Sequence, residues 1–417
     1  MAEFRFSYFD RFLELTLPDD ALVRKLDVVS VPAIGDVYTA TAASLRRPIG
    51  VAPLKESVER GSRVLVVVPD KSRRTDIREM LRAVLDELSD ASVSNERITI
   101  LIALGTHRPM TREEIAAKIG NDTAGRFRVV NHDWDDPSQL VDLGCTADGL
   151  PVQFNRLITE HDFIISIGAI SAHPVGGYSG GAKGLLPGIA GKRSTDYFHW
   201  KATAYPLFDI FGNPDNPVRN EMEKIVDAVG LRFIVNAVEN AERRICGIFA
   251  GHFIEAHRAG VRFLQQRPLI AYPAELPDIL MVGMGDDRPD FWAGAAGIYA
   301  ASALLKDGGI AVLLAACPEG VAPEHPLVLE YGYPRWKEAV RDVERGLLPD
   351  RTGASHLVTV GKILEQKKIR VFLVSEGINQ NDAERLGFFR FDSAESALSK
   401  ARESLGGASR ILAYERI

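Results

Sequence analysis

Four stretches of this 417-residue chain gather side chains that do chemistry near neutral pH. Asp70-Lys71-Ser72-Arg73-Arg74 sets a carboxylate, a hydroxyl and cationic groups side by side, and Gly105-Thr106-His107-Arg108 adds an imidazole. From His173 to Gly191, five glycines stand before or beside Lys183, and His199 follows in Asp196-Tyr197-Phe198-His199-Trp200. Imidazole titrates close to neutrality, so of two histidines at one site, one ring accepts a proton while the other donates. That symmetry suits a reaction in which either enantiomer must enter. Successive glycines let backbone amides approach a ligand and form an anion-binding concavity. A P-loop requires glycine before its lysine and Ser or Thr after it. Ala182 and Gly184 occupy those places, so that reading fails, although a phosphate-bearing ligand touching Lys183 still fits. A neutral imidazole such as His199 is a metal ligand, but one histidine suffices only where a cofactor supplies the other donors.

Each residue also has a plainer reading. His107 and His173 can cap strand ends, Lys183 can be a solvated loop lysine, and His199 can pack beside Trp200. Their occurrence together weighs against all of these. His132, in Asn131-His132-Asp133-Trp134, reads as part of a solvated acidic turn, and Asp286-Asp287 as a loop or helix cap. His161, His252, His257, His325 and His356 have no supporting pattern.

The elements that must position these groups are βα units. Apolar, β-rich runs at Arg63–Val68, Arg97–Leu104, Phe127–Asn131, Phe163–Ile167, Arg232–Val235, Asp278–Val282, Gly309–Leu314 and Arg370–Val374 alternate with helical patterns. The helices are expected at Arg74–Leu88, Thr111–Ile119, Pro217–Val229, Ile254–Gln266 and Ala394–Leu405. This alternation predicts an α/β fold with mostly parallel sheets flanked by helices. Ligands of such sheets bind beyond the carboxyl ends of the strands, where Asp70, Arg73, His107 and His173 all fall. If those strands are parallel neighbours, the four converge on one cleft. The length predicts two domains. Pro268, Pro273 and Pro277 place the junction within Arg267–Asp278, giving a domain over 1–272 and another over 273–417, with the active site in the cleft between them. The last helix is expected to pack back on the first domain.

A hydrophobic share of 46% with 25% charged residues fits a globular protein, and a formal charge of −6 argues against a general nucleic-acid binder. No segment is long and apolar enough for a membrane helix, and the N-terminus lacks the order of a secretory signal, so no membrane partner and a cytoplasmic location are expected. Cys145, Cys246 and Cys317 form no CxxC pair, and each is expected to be a small core residue.

Taken in order and spacing, Asp70-Lys71-Ser72-Arg73, Gly105-Thr106-His107, the Ser179-Gly180-Gly181-Ala182-Lys183 block with Leu186-Pro187-Gly188-Ile189-Ala190-Gly191, and His199 resemble the lactate racemase family. The resemblance spans roughly the first 270 residues and weakens beyond. It implies an isomerase of small-molecule 2-hydroxy acids, a racemase or epimerase, with a nickel pincer nucleotide (a nickel pyridinium bisthiocarboxylic acid mononucleotide) covalently attached at Lys183. It further implies His199 as the protein ligand to nickel, and His107 and His173 as paired acid/base groups. Asp70, Ser72, Arg73 and Ser179 would bind the cofactor, with Arg73 also meeting the substrate. Hydride transfer to the cofactor ring and back would invert the carbon, and cofactor-biosynthesis enzymes would be needed for maturation.

One departure stands out. Where the family places a glutamine and a lysine against the substrate, this chain has Trp292 and Ala295, which cannot bind a carboxylate as an ammonium does. A substrate other than lactate, aromatic or extended, is expected. The helix expected from near Pro289 offers its amides, and Arg288 its charge, for an anion. Rival readings are an NAD-type oxidoreductase of hydroxy acids, for which no GxGxxG follows an early strand, and a non-catalytic nucleotide-binding homologue.

Overall fold

An unbroken apolar run such as Val64-Leu65-Val66-Val67-Val68 is satisfied only in a strand covered on both faces. A computed structural model of the chain shows this arrangement; it describes residues 1–25, 31–267, 272–286, 288–406 and 408–416. Val64, Val66 and Val68 pack into one core with Met80, Leu81, Val84 and Ile100. Leu65 and Val67 pack into a second with Ile164, Phe198, Met222 and Phe253 on the opposite face. Part of the expected junction, and Asp287, lie outside the described residues.

The chain divides into two compact units, Val28–Ile270 and a unit formed by Met1–Asp27 with Ala271–Ile417. The first holds a six-stranded sheet in the order Ile245–Gly251, Leu231–Glu239, Phe163–Ala169, Val64–Pro69, Ile98–Ala103, Arg128–Asn131. All neighbours are parallel except the first pair. From Val64–Pro69 the chain runs outward through Ile98–Ala103 and Arg128–Asn131, then resumes on the other side with Phe163–Ala169. The order therefore reverses between Val64–Pro69 and Phe163–Ala169, a switch point at which such sheets open a crevice beyond their carboxyl ends. Asp70 ends one of these strands and His173 follows the other.

The second unit has a seven-stranded sheet. Phe389–Phe391, Arg370–Val374, Ile310–Leu314 and Ile279–Gly285 run parallel, and Ile411–Tyr414 also pairs with Ile279–Gly285. The hairpin Ala2–Phe9 and Arg11–Leu17 completes it, with Tyr8 opposite Met284. This corrects the expected domain over 1–272, because the first 27 residues belong with the C-terminal part. The reason is burial: Phe6, Tyr8, Leu15 and Leu17 share a core with Ile279, Val312 and Ala413. The helix Ala394–Ser404 packs on that same core through Ala394, Ala397, Leu398 and Ala401, and not on the first unit as expected. Among the described residues no helix is long and apolar enough to cross a membrane.

Candidate active site

The helix expected from Arg74 begins only at Arg78, because the preceding residues form the loop that follows Val64–Pro69. Asp70 is buried in that loop, where Ser72 Oγ donates to its Oδ1 at 2.7 Å. Its Oδ2 lies 2.8 Å from His107 Nδ1. A carboxylate oxygen only accepts, so Nδ1 carries the proton and the lone pair sits on Nε2, the base-ready tautomer. Burial pushes the Asp70 carboxyl up, but the His107 hydrogen bond and charge, then Arg73 and Ser72, outweigh it and hold the group below its ordinary value. Lys118, which no motif marks, donates to the carbonyls of Arg73 and Thr75, the latter at 3.1 Å, and pins the loop. Burial, only partly offset by Asp70, Asp76 and Glu239, lowers its amine to about 8.

His173 lies in a short antiparallel ribbon, Ala172–His173 against Gly177–Tyr178. The Val175 amide donates to its Nδ1 at 3.1 Å, which places the proton of the neutral ring on Nε2, the opposite tautomer to His107. Burial, then the positive charges of Lys183, Arg73, His199 and Arg219, hold this imidazole well below its ordinary value. Lys183 sits in the single turn Gly181–Gly184. Burial and the charges of Arg73 and Arg219 drive its amine well below the usual range, with Asp70 opposing. Asp70, Arg73, His173, Lys183 and His199 thus act on one another electrostatically, and His107 joins through Asp70.

The glycines serve the fold more directly than the sequence suggests. A Cβ on Gly184 would stand 2.1 Å from Ser166 Oγ, and one on Gly188 would stand 2.1 Å from the Gly184 carbonyl. Gly180 and Gly181 have φ of 72° and 57°, a region L side chains avoid. The block is a chain folded tightly on itself to display one lysine. Ser179 is part of the fastening: its Oγ donates to the Ala169 carbonyl at 2.8 Å and accepts from the Ser171 amide at 2.9 Å.

His199 lies on the helix Lys192–Ala202, where its Nδ1–H donates to the Thr195 carbonyl at 2.8 Å. That bond leaves the lone pair on Nε2, the tautomer of a metal-ligating histidine. Among the described residues no three His, Cys, Asp or Glu side chains gather to hold an ion. A lone imidazole suits a metal that brings its other ligands with it, and a lysine whose amine is held well below its usual range suits covalent attachment. The residues therefore fit the lysine-tethered nickel nucleotide.

Other expectations change. His132 is buried, with Nε2–H donating to the Ala190 carbonyl at 3.1 Å and Nδ1 accepting from Asn155 at 3.2 Å. It is a strut of the core and not part of a solvated turn. Cys246 and Cys317 are buried as expected, whereas Cys145 is exposed on the strand Leu140–Cys145.

In the second unit, Trp292 stacks on both His325 and His356, with ring centroids 4.4 and 4.2 Å away. The chain's own imidazoles thus already engage the indole that was expected to meet the substrate. Ala295 is completely buried, which removes it as a substrate contact. The cap of the helix Phe291–Gly294 is Asp290, whose Oδ1 accepts from the Ala293 amide at 2.9 Å, and Arg288 donates to the Ala293 carbonyl at 3.3 Å. A carboxylate of the chain itself takes the place expected for an anion.

The mostly parallel sheets define an α/β protein, and the groups beyond the strands at the switch point of the six-stranded sheet form its candidate site. Residues 8–206 match the lactate racemase N-terminal domain. The chain is 29% identical to a lactate racemase of Thermoanaerobacterium thermosaccharolyticum, over 72% of this chain and 68% of that protein. It is 31% identical to a lactate racemase of Lactiplantibacillus plantarum, over 66% and 65% respectively. The fold matches the lactate racemase apoprotein structure from T. thermosaccharolyticum with a TM-score of 0.83 at 25% identity, covering 100% of this chain and 98% of that one. A Thermotoga maritima crystal structure shares the fold with a TM-score of 0.73 at 22% identity, over 91% of this chain and 96% of that one. The chain is thus similar to lactate racemases, in sequence through the N-terminal domain matched over residues 8–206 and in fold along its whole length.

Proposed function

We propose that this protein is a racemase or epimerase of a lactate-like 2-hydroxy acid, working with a nickel pincer nucleotide tethered to Lys183 and ligated through His199 Nε2. The observation that carries this reading is the pair of imidazoles in opposite tautomers, His107 bound to Asp70 and His173 in the field of Lys183, whose amine is held well below its usual range. When bound, the nucleotide supplies a reversible hydride acceptor. His107 Nε2 takes the substrate hydroxyl proton, and Asp70 stabilises the imidazolium that results. His173 presents N–H on the other side and serves as the base for the opposite enantiomer once its ring changes tautomer. Arg73 holds the substrate carboxylate or a cofactor anion. With Trp292 stacked on two imidazoles and Ala295 buried without an ammonium to offer, the expected substrate is a lactate-like 2-hydroxy acid other than lactate itself.

Maturation depends on enzymes that build and load the cofactor, so the test uses protein from a host that makes it. A panel of single-enantiomer 2-hydroxy acids is incubated with the loaded protein and followed by chiral chromatography. Interconversion of at least one acid is expected, with nickel bound and a mass adduct on Lys183, and loss of turnover in His107→Ala and His173→Ala. Unmodified Lys183 in active protein, or normal turnover in either variant, overturns the reading. Turnover that instead depends on added NAD would favour the diffusible-cofactor alternative.

A further inference from the structure

Beneath the glycine block lies a cation that no motif announces. Arg219, on the helix Pro217–Ala228, is fully buried. Its Nη1 and Nη2 donate to the Gly180 carbonyl at 3.4 and 3.3 Å, and that same oxygen accepts the Lys183 amide at 3.2 Å, closing the turn that carries the lysine. Nη2 also lies against the His257 ring, nearest to Nε2 and 3.2 Å from Nδ1, and His257 Nε2 is 2.9 Å from the Ser179 carbonyl. The guanidinium is thus joined to two consecutive carbonyls of the block, one directly and one through a buried imidazole. Its counter-ion, Glu223, lies 3.3 Å from Nε and is shared with Arg258, which grips it at 2.8 and 3.0 Å.

We propose that Arg219 is a positioning residue for Lys183: a buried guanidinium that fixes the lysine's turn through Gly180 and, by its charge, keeps the amine in the form that reacts with an acyl donor. Burying a guanidinium is expensive, and a structural brace does not need a charge to hold two carbonyls. Burial lowers Arg219 only to about 10, so it stays cationic at neutral pH. The charged groups whose fields act on Lys183 are Arg73 from the loop after Val64–Pro69, Arg219 from its helix, and Asp70, while Lys183 in turn acts on His173 of the ribbon. Arg73 and Arg219 disfavour a third positive charge, and Asp70 alone opposes them. The inference rests on the proposed tether at Lys183 for its purpose, but not for its test.

The test is competitive acetylation of the full-length, cofactor-free chain by trace acetic anhydride, with Lys183 modification read by peptide mass spectrometry across pH 5 to 11. Arg219→Gln is expected to move the Lys183 labelling profile to higher pH, so that on the acid side of the midpoint labelling slows about tenfold for each unit of rise in the amine's pKa. Arg219→Lys restores most of the rate. Glu223→Gln removes the counter-ion and is expected to shift the profile the other way, an outcome that mere loosening of the block would not produce. Unchanged profiles in Arg219→Gln and Glu223→Gln overturn the proposal. If Arg219→Gln fails to fold, an unshifted Glu223→Gln profile is sufficient to do so. Absence of nickel or turnover in the loaded protein would sink the proposed function and leave this result standing.

Discussion

Asp70 is buried beside an imidazole that it orients, so its replacement separates this role from packing. Asp70→Asn keeps the volume but presents an amide to His107, which no longer enforces the Nδ1–H tautomer. We expect kcat to fall by about a hundredfold or more with little change in KM, measured on whichever hydroxy acid the panel identifies. The depressed pKa also links the group to stability. Its contribution is whole above the ordinary carboxylate range and is lost as pH falls through the depressed value. At this scale the sequence was informative: His107, His173, Lys183 and His199 sit in short motifs whose spacing survives any folding. Arg219, His257 and Lys118 were invisible there, because helix residues acquire a role only when a loop is laid across them. The opposite tautomers were also hidden, since each depends on one hydrogen bond to a group placed by the fold.

Strands and helices followed the apolar patterns closely, and boundaries shifted where the site intervened. Thr111 was expected inside its helix and instead caps it, accepting from the Glu114 amide at 3.2 Å while Glu114 Oε2 accepts from the Thr111 amide at 2.9 Å. His132 shows how an element's end is secured: its amide donates to the Ile102 carbonyl and its ring bridges Ala190 and Asn155. Burial depresses its imidazole to about 4. Because the charged form is disfavoured in the fold, stability is intact above the unfolded value near 6.5 and declines as pH drops from there towards about 4. Urea unfolding at a series of pH values should show a loss of roughly 3 kcal/mol over that span. His132→Gln should flatten that part of the profile; an equally steep decline in the variant would show that other groups are responsible. Acidic neighbours made His132 look solvated, and only the course of the chain from Phe154 to Ala190 covers it.

The whole molecule turns on a pairing between the first nine residues and a strand almost three hundred positions later. Phe6 is fully buried in that second core. Phe6→Ala should cost about 3–4 kcal/mol, seen as a lowered urea midpoint for the unit that contains Ile279–Gly285. Lys183 acetylation in the other unit should keep its rate; a loss there would mean the hairpin also supports the site. What the sequence determined by itself was local: which runs are covered on both faces, which residues follow a strand's carboxyl end, and which motifs travel together. Those depend on period and spacing, which are written in consecutive residues. The tertiary structure alone decided what meets each face: the N-terminal hairpin joining the distant sheet, the imidazoles stacked on Trp292, and the guanidinium sealed under the glycine block. An apolar stripe or a buried cation demands a partner, but nothing local names it, because many pairings satisfy the same pattern and only simultaneous packing of all of them selects one.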